Sequence, residues 1–288
     1  MATFVFIMKL HASIVTYHTD CAELRKCIDS LLADSGVVGR VYVVDNSSSE
    51  STAALCAEYG GIVKYIPHPN TGYGDAHNVA LHQSIEADTA LHLVINSDVY
   101  FRPGTLAACV AYMADNPEVV QLIPHTVYPD GSEQYVIHPL PTPLDMFMRG
   151  FLPESWLKRR RRRYQLRDRD PKATVNAPYH HGCFMLLRTA AVASVGLFDP
   201  RFFMYPEDID LTRRMHRLGR TVYWPGAEIV HAHRAESKRS ARMRRIHIAN
   251  MLRYFRKWGF FFDLERRQVN RRLMKEYNTK GLSNSVFK

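Results

Sequence analysis

Apolar runs that each stop at a short polar tip constrain this chain more than any other feature of its sequence. The first spans His11 to Tyr17 and ends in Ile14-Val15-Thr16-Tyr17. Val41-Tyr42-Val43-Val44 is the second, Ile62 to Ile66 the third and Leu91-His92-Leu93-Val94-Ile95 the fourth. Between them lie stretches of helical periodicity. Asp20 to Ala33 places Ala22, Leu24, Cys27, Ile28, Leu31 and Leu32 on one side, Ser51 to Tyr59 stops at Gly60-Gly61, and a third helix covers about Asp75 to Glu86. Strands that are apolar throughout have no face left for water. Alternating with helices, they predict an α/β fold with a parallel sheet covered on both sides. In such sheets ligands bind beyond the carboxyl ends of the strands. Thr16-Tyr17-His18, Asp45-Asn46-Ser47 and Asn96-Ser97-Asp98 all fall there.

The second half is less regular. A helix is expected from Pro103 to Ala114, and a pair of strands between Val119 and His138 around Pro129-Asp130-Gly131. From Pro139 to Pro171 the pattern loosens into an excursion that holds Met146, Phe147, Met148, Phe151 and the run Lys158 to Arg163. Order resumes with the strand Phe184 to Leu187, a short helix from Thr189 to Val195, and a strand from Thr221 to Trp224 leading to Ile229-Val230-His231-Ala232-His233. The chain beyond Lys238 reads as helical and basic.

Composition narrows the partners. A net charge of +10 favours an anionic one, such as a phosphorylated substrate or an acidic membrane surface. Nucleic acid is disfavoured, because the Lys158 to Arg163 run has few interleaved aromatics and no nucleic-acid module is visible. Five scattered cysteines without a CxxC pair point to a reducing, cytoplasmic setting. No apolar run approaches the roughly 20 residues that span a bilayer.

The densest chemistry lies in Tyr205-Pro206-Glu207-Asp208-Ile209-Asp210-Leu211, where three carboxylates open an apolar-periodic run. Acids suit the positive end of a helix dipole, so a well-capped surface helix accounts for this stretch. A general base at a helix start accounts for it equally.

Several stretches, in order and spacing, resemble the family 2 glycosyltransferases of GT-A fold, above all bacterial rhamnosyltransferase-like enzymes that extend surface polysaccharides. They are Val43 to Ser48, Asn70 to Asn78, Leu93 to Val99, Gly182 to Leu186, and Gly196-Leu197-Phe198-Asp199 through Glu207 to Leu211. The resemblance implies a GT-A (Rossmann-like) fold with a mixed central sheet. The catalytic domain would span residues 1–237, with donor binding in 1–125, acceptor binding in 126–237 and a helical appendage in 238–288. It implies transfer of a sugar, with inversion, from deoxythymidine-diphosphate-rhamnose or a uridine-diphosphate-hexose to a glycan or lipid-linked glycan.

The same resemblance distributes roles. Asp98 would hold Mg2+ or Mn2+ with His231, or with His233 as the alternate; the family's usual Asp-x-Asp reads Asn96-Ser97-Asp98 here. A hard divalent cation suits oxygen ligands and stabilises a leaving diphosphate. Thr16, Tyr17, His18, Asn70, Gly72, Gly74 and Asn78 would line the nucleotide cleft, with Asp45 accepting from an N–H of the base. Asp208 would be the general base, Glu207 would orient it or bind acceptor hydroxyls, and His181 and Gly182 would line the acceptor side. Asp210 reads as structural, and Arg213 or Arg214 as pairing with these acids or facing phosphate. From Arg239 to Tyr277 basic residues interleave with aromatics, which fits either a helix lying on anionic lipid or a helical pair packed on the core. The protein would then sit at the inner face of the cell membrane. Two rivals remain: a sugar-nucleotide pyrophosphorylase, against which the lack of a Gly-rich basic loop at Thr16 to Asp20 argues, and a non-catalytic carbohydrate or nucleic-acid binder.

Overall fold

A computed structural model describes residues 9–34, 36–147, 154–232 and 241–283. Its first half follows from the apolar runs. β1 (Leu10–Thr16), β2 (Val38–Asp45), β3 (Val63–Pro67) and β4 (Leu91–Asn96) lie parallel in the order β3-β2-β1-β4. α1 (Cys21–Leu32), α2 (Glu50–Ala57) and α3 (Tyr73–Glu86) connect them. Each strand supplies both cores in alternation. Val41 and Val43 join the core that holds Leu24 and Ile28 of α1, whereas Tyr42 and Val44 meet Ala76 and Ala80 of α3. That is why these strands show few polar positions until they end, and the buried Ser13 and His92 satisfy each other at 2.8 Å. The helix starts are capped locally. Asp20 accepts from the N–H groups of Ala22 and Glu23, and the Ser49 hydroxyl accepts from Thr52 N–H.

The sheet then turns mixed. In chain order come β5 (Val99–Tyr100), α4 (Thr105–Asp115), β6 (Val119–Val127), β7 (Ile137–His138), α5 (Pro143–Phe147), α6 (Glu154–Tyr164), β8 (Val175–Asn176), β9 (Tyr179–His180), β10 (Phe184–Arg188), α7 (Thr189–Val195), α8 (Glu207–Met215), β11 (Arg220–His231), α9 (Ala241–Trp258) and α10 (Leu264–Ser283). The main sheet continues β4-β10-β6-β11-β5, with β10 antiparallel to both neighbours and β6 parallel to β11. β5 pairs antiparallel with β11, and this brings the segment just after β4 back to the end of β11.

Two expectations are corrected and one is refined. The two strands expected between Val119 and His138 are present, but they do not pair with each other. β6 and the turn at Pro129-Asp130-Gly131 share only the bridge Val127 to Glu133, while β7 pairs with β9 in a separate two-stranded sheet. The run Lys158 to Arg163 lies on α6, not in a loop; Arg160 pairs with Asp145 and Arg162 with Asp168. The two segments expected around Trp224 and Ile229 form one strand, β11, with an irregularity between Trp224 and Glu228. Gly226 is required there, since a Cβ would fall 2.3 Å from the Trp224 ring. Met148 and Phe151 lie outside the described residues.

The helices after β11 are tied into the fold. Met251, Tyr254 and Phe255 of α9 share a buried cluster with Leu140, Phe202 and Ile209. The Arg213 guanidinium of α8 donates to Asp263 Oδ1 and Oδ2 at 2.7 and 2.8 Å, and to Glu265 at 2.6 Å, so α8 is locked to the start of α10.

Candidate active site

Strand register decides which polar tips become neighbours. Thr16 pairs with Asp45, Val15 with Asn96, Asp45 with Pro67, and Ile95 with Phe184. Asp45, Thr16, Asn96 and the Gly182-Cys183 segment therefore follow one another along the carboxyl edge, and Asn96 N–H donates to Cys183 O at 3.0 Å. Val99 pairs with His231, which adds the end of β11 to the same edge.

At the donor end Asp45 is buried and both its oxygens are occupied. Oδ1 accepts from the Thr16 hydroxyl (3.0 Å), Ser47 N–H (3.1 Å) and the Ser47 hydroxyl (2.7 Å); Oδ2 accepts from Ser49 N–H (2.6 Å) and the Tyr65 hydroxyl (3.1 Å). Burial works against its charge, but these donors outweigh burial and hold its carboxyl below the usual range. This differs from the expectation that Asp45 accepts from a base N–H, because the carboxylate has no lone pair left to offer. It shapes the loop that presents Asn46, whose Oδ1 lies 3.2 Å from His68 Nδ1 and whose Nδ2 lies 3.5 Å from Asn70 Oδ1. Tyr17 and His18 project at the rim, and Thr16 lies beneath it.

The loop from Asn70 to Asn78 also differs from expectation. A Cβ at Gly72 would lie 2.6 Å from Phe203 O, and one at Gly74 2.8 Å from Phe198 Cβ. The close backbone approach that these glycines permit is to the chain's own Phe198-to-Phe203 segment. Asn78 is likewise engaged there: its Nδ2 donates to Phe198 O at 2.8 Å and its Oδ1 accepts from Phe198 N–H at 2.9 Å. Gly72, Gly74 and Asn78 thus dock the start of α3 onto the segment leading to the acidic helix, and the loop's exposed polar side chains are Asn70 and Thr71.

His231 Nε2 lies 3.4 Å from Asp98 Oδ1 and 3.4 Å from Asn96 Nδ2. Among the described residues no group of three or more His, Cys, Asp or Glu side chains is arranged to hold a metal ion. The two that meet nevertheless suit a cation. Gln134 Oε1 lies 2.9 Å from His231 Nδ1 and Gln134 Nε2 donates to His231 O at 2.6 Å, which assigns the proton to Nδ1 and turns Nε2 toward Asp98. Burial opposes a second proton on this ring, yet Cys183 and Asp98 outweigh burial and raise its pKa to about 10. The imidazolium supplies positive charge beside Asp98. Ser97 sits between, partly exposed, and His233 lies outside the described residues.

The acidic helix separates its carboxylates by environment. Asp208 is partly exposed; its Oδ2 accepts from Gly182 N–H at 3.1 Å and its Oδ1 from Ile209 N–H at 2.8 Å. A Cβ on Gly182 would meet Asp208 Cβ at 3.3 Å, so the glycine makes room for this approach. Glu207 is only 4% exposed and its Oε2 has no hydrogen-bond partner. It therefore does not line an acceptor surface, contrary to expectation. Burial and the neighbouring Asp208 raise the Glu207 carboxyl well above its ordinary value, while burial raises Asp208 to about 6. Two adjacent carboxyls cannot both ionise cheaply. Asp208, with two backbone donors, takes the charge and Glu207 keeps the proton. Asp210 is structural as expected: it accepts from Arg214 at 2.9 Å and Trp258 Nε1 at 2.8 Å. Neither Arg213 nor Arg214 faces the cleft. His181 stands beside Gly182 with its Nε2 2.9 Å from His138 Nε2.

Two further residues belong to this site. Tyr73 places its hydroxyl 2.8 Å from Asn96 Oδ1 and 2.9 Å from Gly182 O, joining the Asp98 tip to the segment that holds Asp208. Gln134 fixes His231. Tyr73 lies in the Asn70-to-Asn78 stretch, but only the fold gives it this role; Gln134 carries no sequence signal.

A mixed sheet whose carboxyl edge carries a carboxylate–imidazole pair and, across one tyrosine, a partly exposed aspartate defines a glycosyltransferase of GT-A architecture. Solved structures share that architecture. GalNAc-T7 with UDP, GalNAc and Mn2+ superposes with a TM-score of 0.60 at 14% identity over 78% of this chain, which spans 43% of that protein. The mannosyltransferase PcManGT from Pyrobaculum calidifontis, in complex with GDP-Man and Mn2+, superposes at 0.56 and 18% identity over 85% of this chain and 64% of its own. The chain belongs to glycosyl transferase family 2, whose pattern matches residues 13–196. It is 30% identical over 207 residues to the N-acetylglucosaminyl-diphospho-decaprenol L-rhamnosyltransferase of Mycobacterium tuberculosis, covering 68% of this chain and 67% of that one. It is 25% identical over 254 residues to the rhamnosyltransferase WbbL of Escherichia coli K12, covering 84% and 90%.

Proposed function

We propose that this glycosyltransferase moves rhamnose from deoxythymidine-diphosphate-rhamnose, with inversion, to a sugar carried on a lipid diphosphate during cell-surface polysaccharide synthesis. The donor would occupy residues 1–125 and the acceptor 126–237, with 238–288 as a helical region behind them. The observation that carries this reading is Asp208, one partly exposed carboxylate raised to about 6 at the rim of the cleft on which the donor-side tips converge. Asp208 accepts the proton of the acceptor hydroxyl as that oxygen attacks the anomeric carbon opposite the diphosphate. Glu207, buried and protonated beneath it, keeps a second negative charge away from the attacking oxygen. The Gly182 and Ile209 N–H groups hold the base in orientation, and His181 lies on the acceptor side. Asp98 and His231 would hold Mg2+ or Mn2+ together with donor oxygens; when bound, the cation neutralises charge on the leaving diphosphate. The names of the two rhamnosyltransferase relatives support the sugar and the lipid-linked acceptor, and the Mn2+ complexes of the structural neighbours support a divalent cation.

A thermal-shift screen of nucleotide-sugars with and without Mn2+ or Mg2+ tests donor and metal together. Deoxythymidine-diphosphate-rhamnose should raise Tm most, and more with the cation present. A larger shift with a uridine-diphosphate-hexose would reassign the donor, and no shift with any nucleotide-sugar would remove the reading. Among the described residues no helix is long and apolar enough to cross a membrane. A lipid-linked acceptor would then be met peripherally, at the inner face of the cell membrane.

A further inference from the structure

The outer face of α9 and the turn that follows it form a surface that sugar transfer does not use. α9 carries Arg242, Arg244, Arg245, Arg253, Arg256 and Lys257 and no acidic residue. Its inner side, through Met251, Tyr254 and Phe255, is buried. At 100° per residue Arg245, Ile248, Ala249, Leu252 and Arg256 form one row along the flank of the helix, and all five are exposed. An apolar row edged by arginines thus runs along the helix. It ends at Gly259, whose positive φ of 98° turns the chain. Just beyond, Phe261, Phe262 and Leu264 are 70%, 88% and 70% exposed.

This turn is not loosely held. Gly259 N–H donates to Phe255 O at 2.8 Å, Arg266 to Phe260 O at 2.9 Å and Arg267 to Phe261 O at 3.2 Å, while Asp263 beneath it is buried against Arg213. The fold therefore presents two phenylalanines and a leucine to solvent from a fixed base, at a cost that only a partner removes. The flanking charge selects that partner. Aromatic side chains favour the headgroup level of a bilayer, and a basic face without acids favours anionic lipid. The buried side of α9 packs next to the segment that leads into the acidic helix. Asn250 donates to Met204 O at 2.9 Å and the His247 ring meets Tyr205 edge-on at 5.4 Å, two residues before Glu207.

We infer that α9 and the Phe261-Phe262-Leu264 turn dock the enzyme on an anionic bilayer, the aromatic pair entering the headgroup region and α9 lying along the surface. The inference rests on the reading that the acceptor is lipid-linked, since docking holds the acceptor side of the cleft against the membrane that carries it.

The test is co-sedimentation of the full chain with phosphatidylcholine vesicles with and without phosphatidylglycerol, at low and high salt, beside the double variant Phe261→Ser/Phe262→Ser. Wild type should bind only the anionic vesicles and be released by salt. Removing two aromatic side chains should weaken that binding by about tenfold or more. The variant should keep the wild-type Tm shift with nucleotide-sugar, because neither phenylalanine touches the cleft. Wild-type failure to bind at low salt, or equal binding by the variant, overturns the inference. So does a dimer that the variant converts to monomer without any vesicle binding, which would make a second copy the occupant. Vesicle binding without any nucleotide-sugar shift would leave the docking surface standing and remove the proposed function.

Discussion

Asp208 and Glu207 are neighbours with the same functional group, and their surroundings give them opposite protonation states. One carboxyl receives two backbone N–H bonds and a view of the cleft; the other is sealed with an oxygen unpaired. Asp208→Asn should fold, keep its nucleotide-sugar Tm shift and lose about 100- to 10,000-fold in kcat; turnover near wild type would eliminate Asp208 as the base. Its raised pKa sets the sign of the pH dependence. The base works deprotonated, so kcat should fall as pH drops through about 6 and level off above it, and a pH–rate profile flat from neutral pH down to 5 would contradict this. At this scale the sequence was legible in part. The acids announced themselves by crowding, and Asp98 with His231 by following apolar strands. Asp45 looked like a ligand contact because it follows a strand, but its loop folds back and fills both oxygens. Gln134 gave no sign, and Tyr73 none of its own role within the Asn70-to-Asn78 stretch, because a single tyrosine or glutamine acquires a role only from what the fold sets opposite it.

Elements position these residues through contacts far apart in sequence. α8 is fixed from behind by the Arg213 guanidinium, 2% exposed like its partner Asp263, and by Asp210 with Trp258. Removing one member of a buried charged pair strands the other. Arg213→Ala should therefore cost about 3–5 kcal/mol in urea unfolding; a loss below about 1 kcal/mol would show that α8 is held by packing alone. The start of α3 is fixed similarly, by Asn78 on the Phe198 backbone and by the absent side chains of Gly72 and Gly74. The small and amide residues of that loop were read as room for a ligand. They make room for another segment of the same chain, and composition alone does not separate the two.

At the scale of the molecule, neutral histidines sealed in the interior tie stability to pH. Burial lowers His92 and His180 to about 3, and His138 and His216 to about 4, against an ordinary 6.5. A depressed folded pKa means that the unfolded chain binds the proton first. The contribution is full above 6.5 and is lost as pH falls toward 4, at about 1.4 kcal/mol per pH unit for each imidazole. Glu207 and Asp208 act in the opposite sense, but they are two groups against four. Tm should drop steeply between pH 6.5 and 4, and a Tm unchanged from pH 7 to 5 would refute this account. The parallel half of the sheet was determined by the sequence itself, since strands buried on both faces must be apolar throughout and their helices must be amphipathic. Helix caps such as Asp20 and Ser49 were equally local. The mixed half was decided by tertiary structure. The antiparallel entry of β10 and the pairing of β7 with β9 rest on backbone hydrogen bonds between segments that carry no mark of their partners. So does the site. Polar tips at strand ends are a local property, whereas their convergence, and which carboxylate is charged, depend on register and on burial that only the folded chain creates.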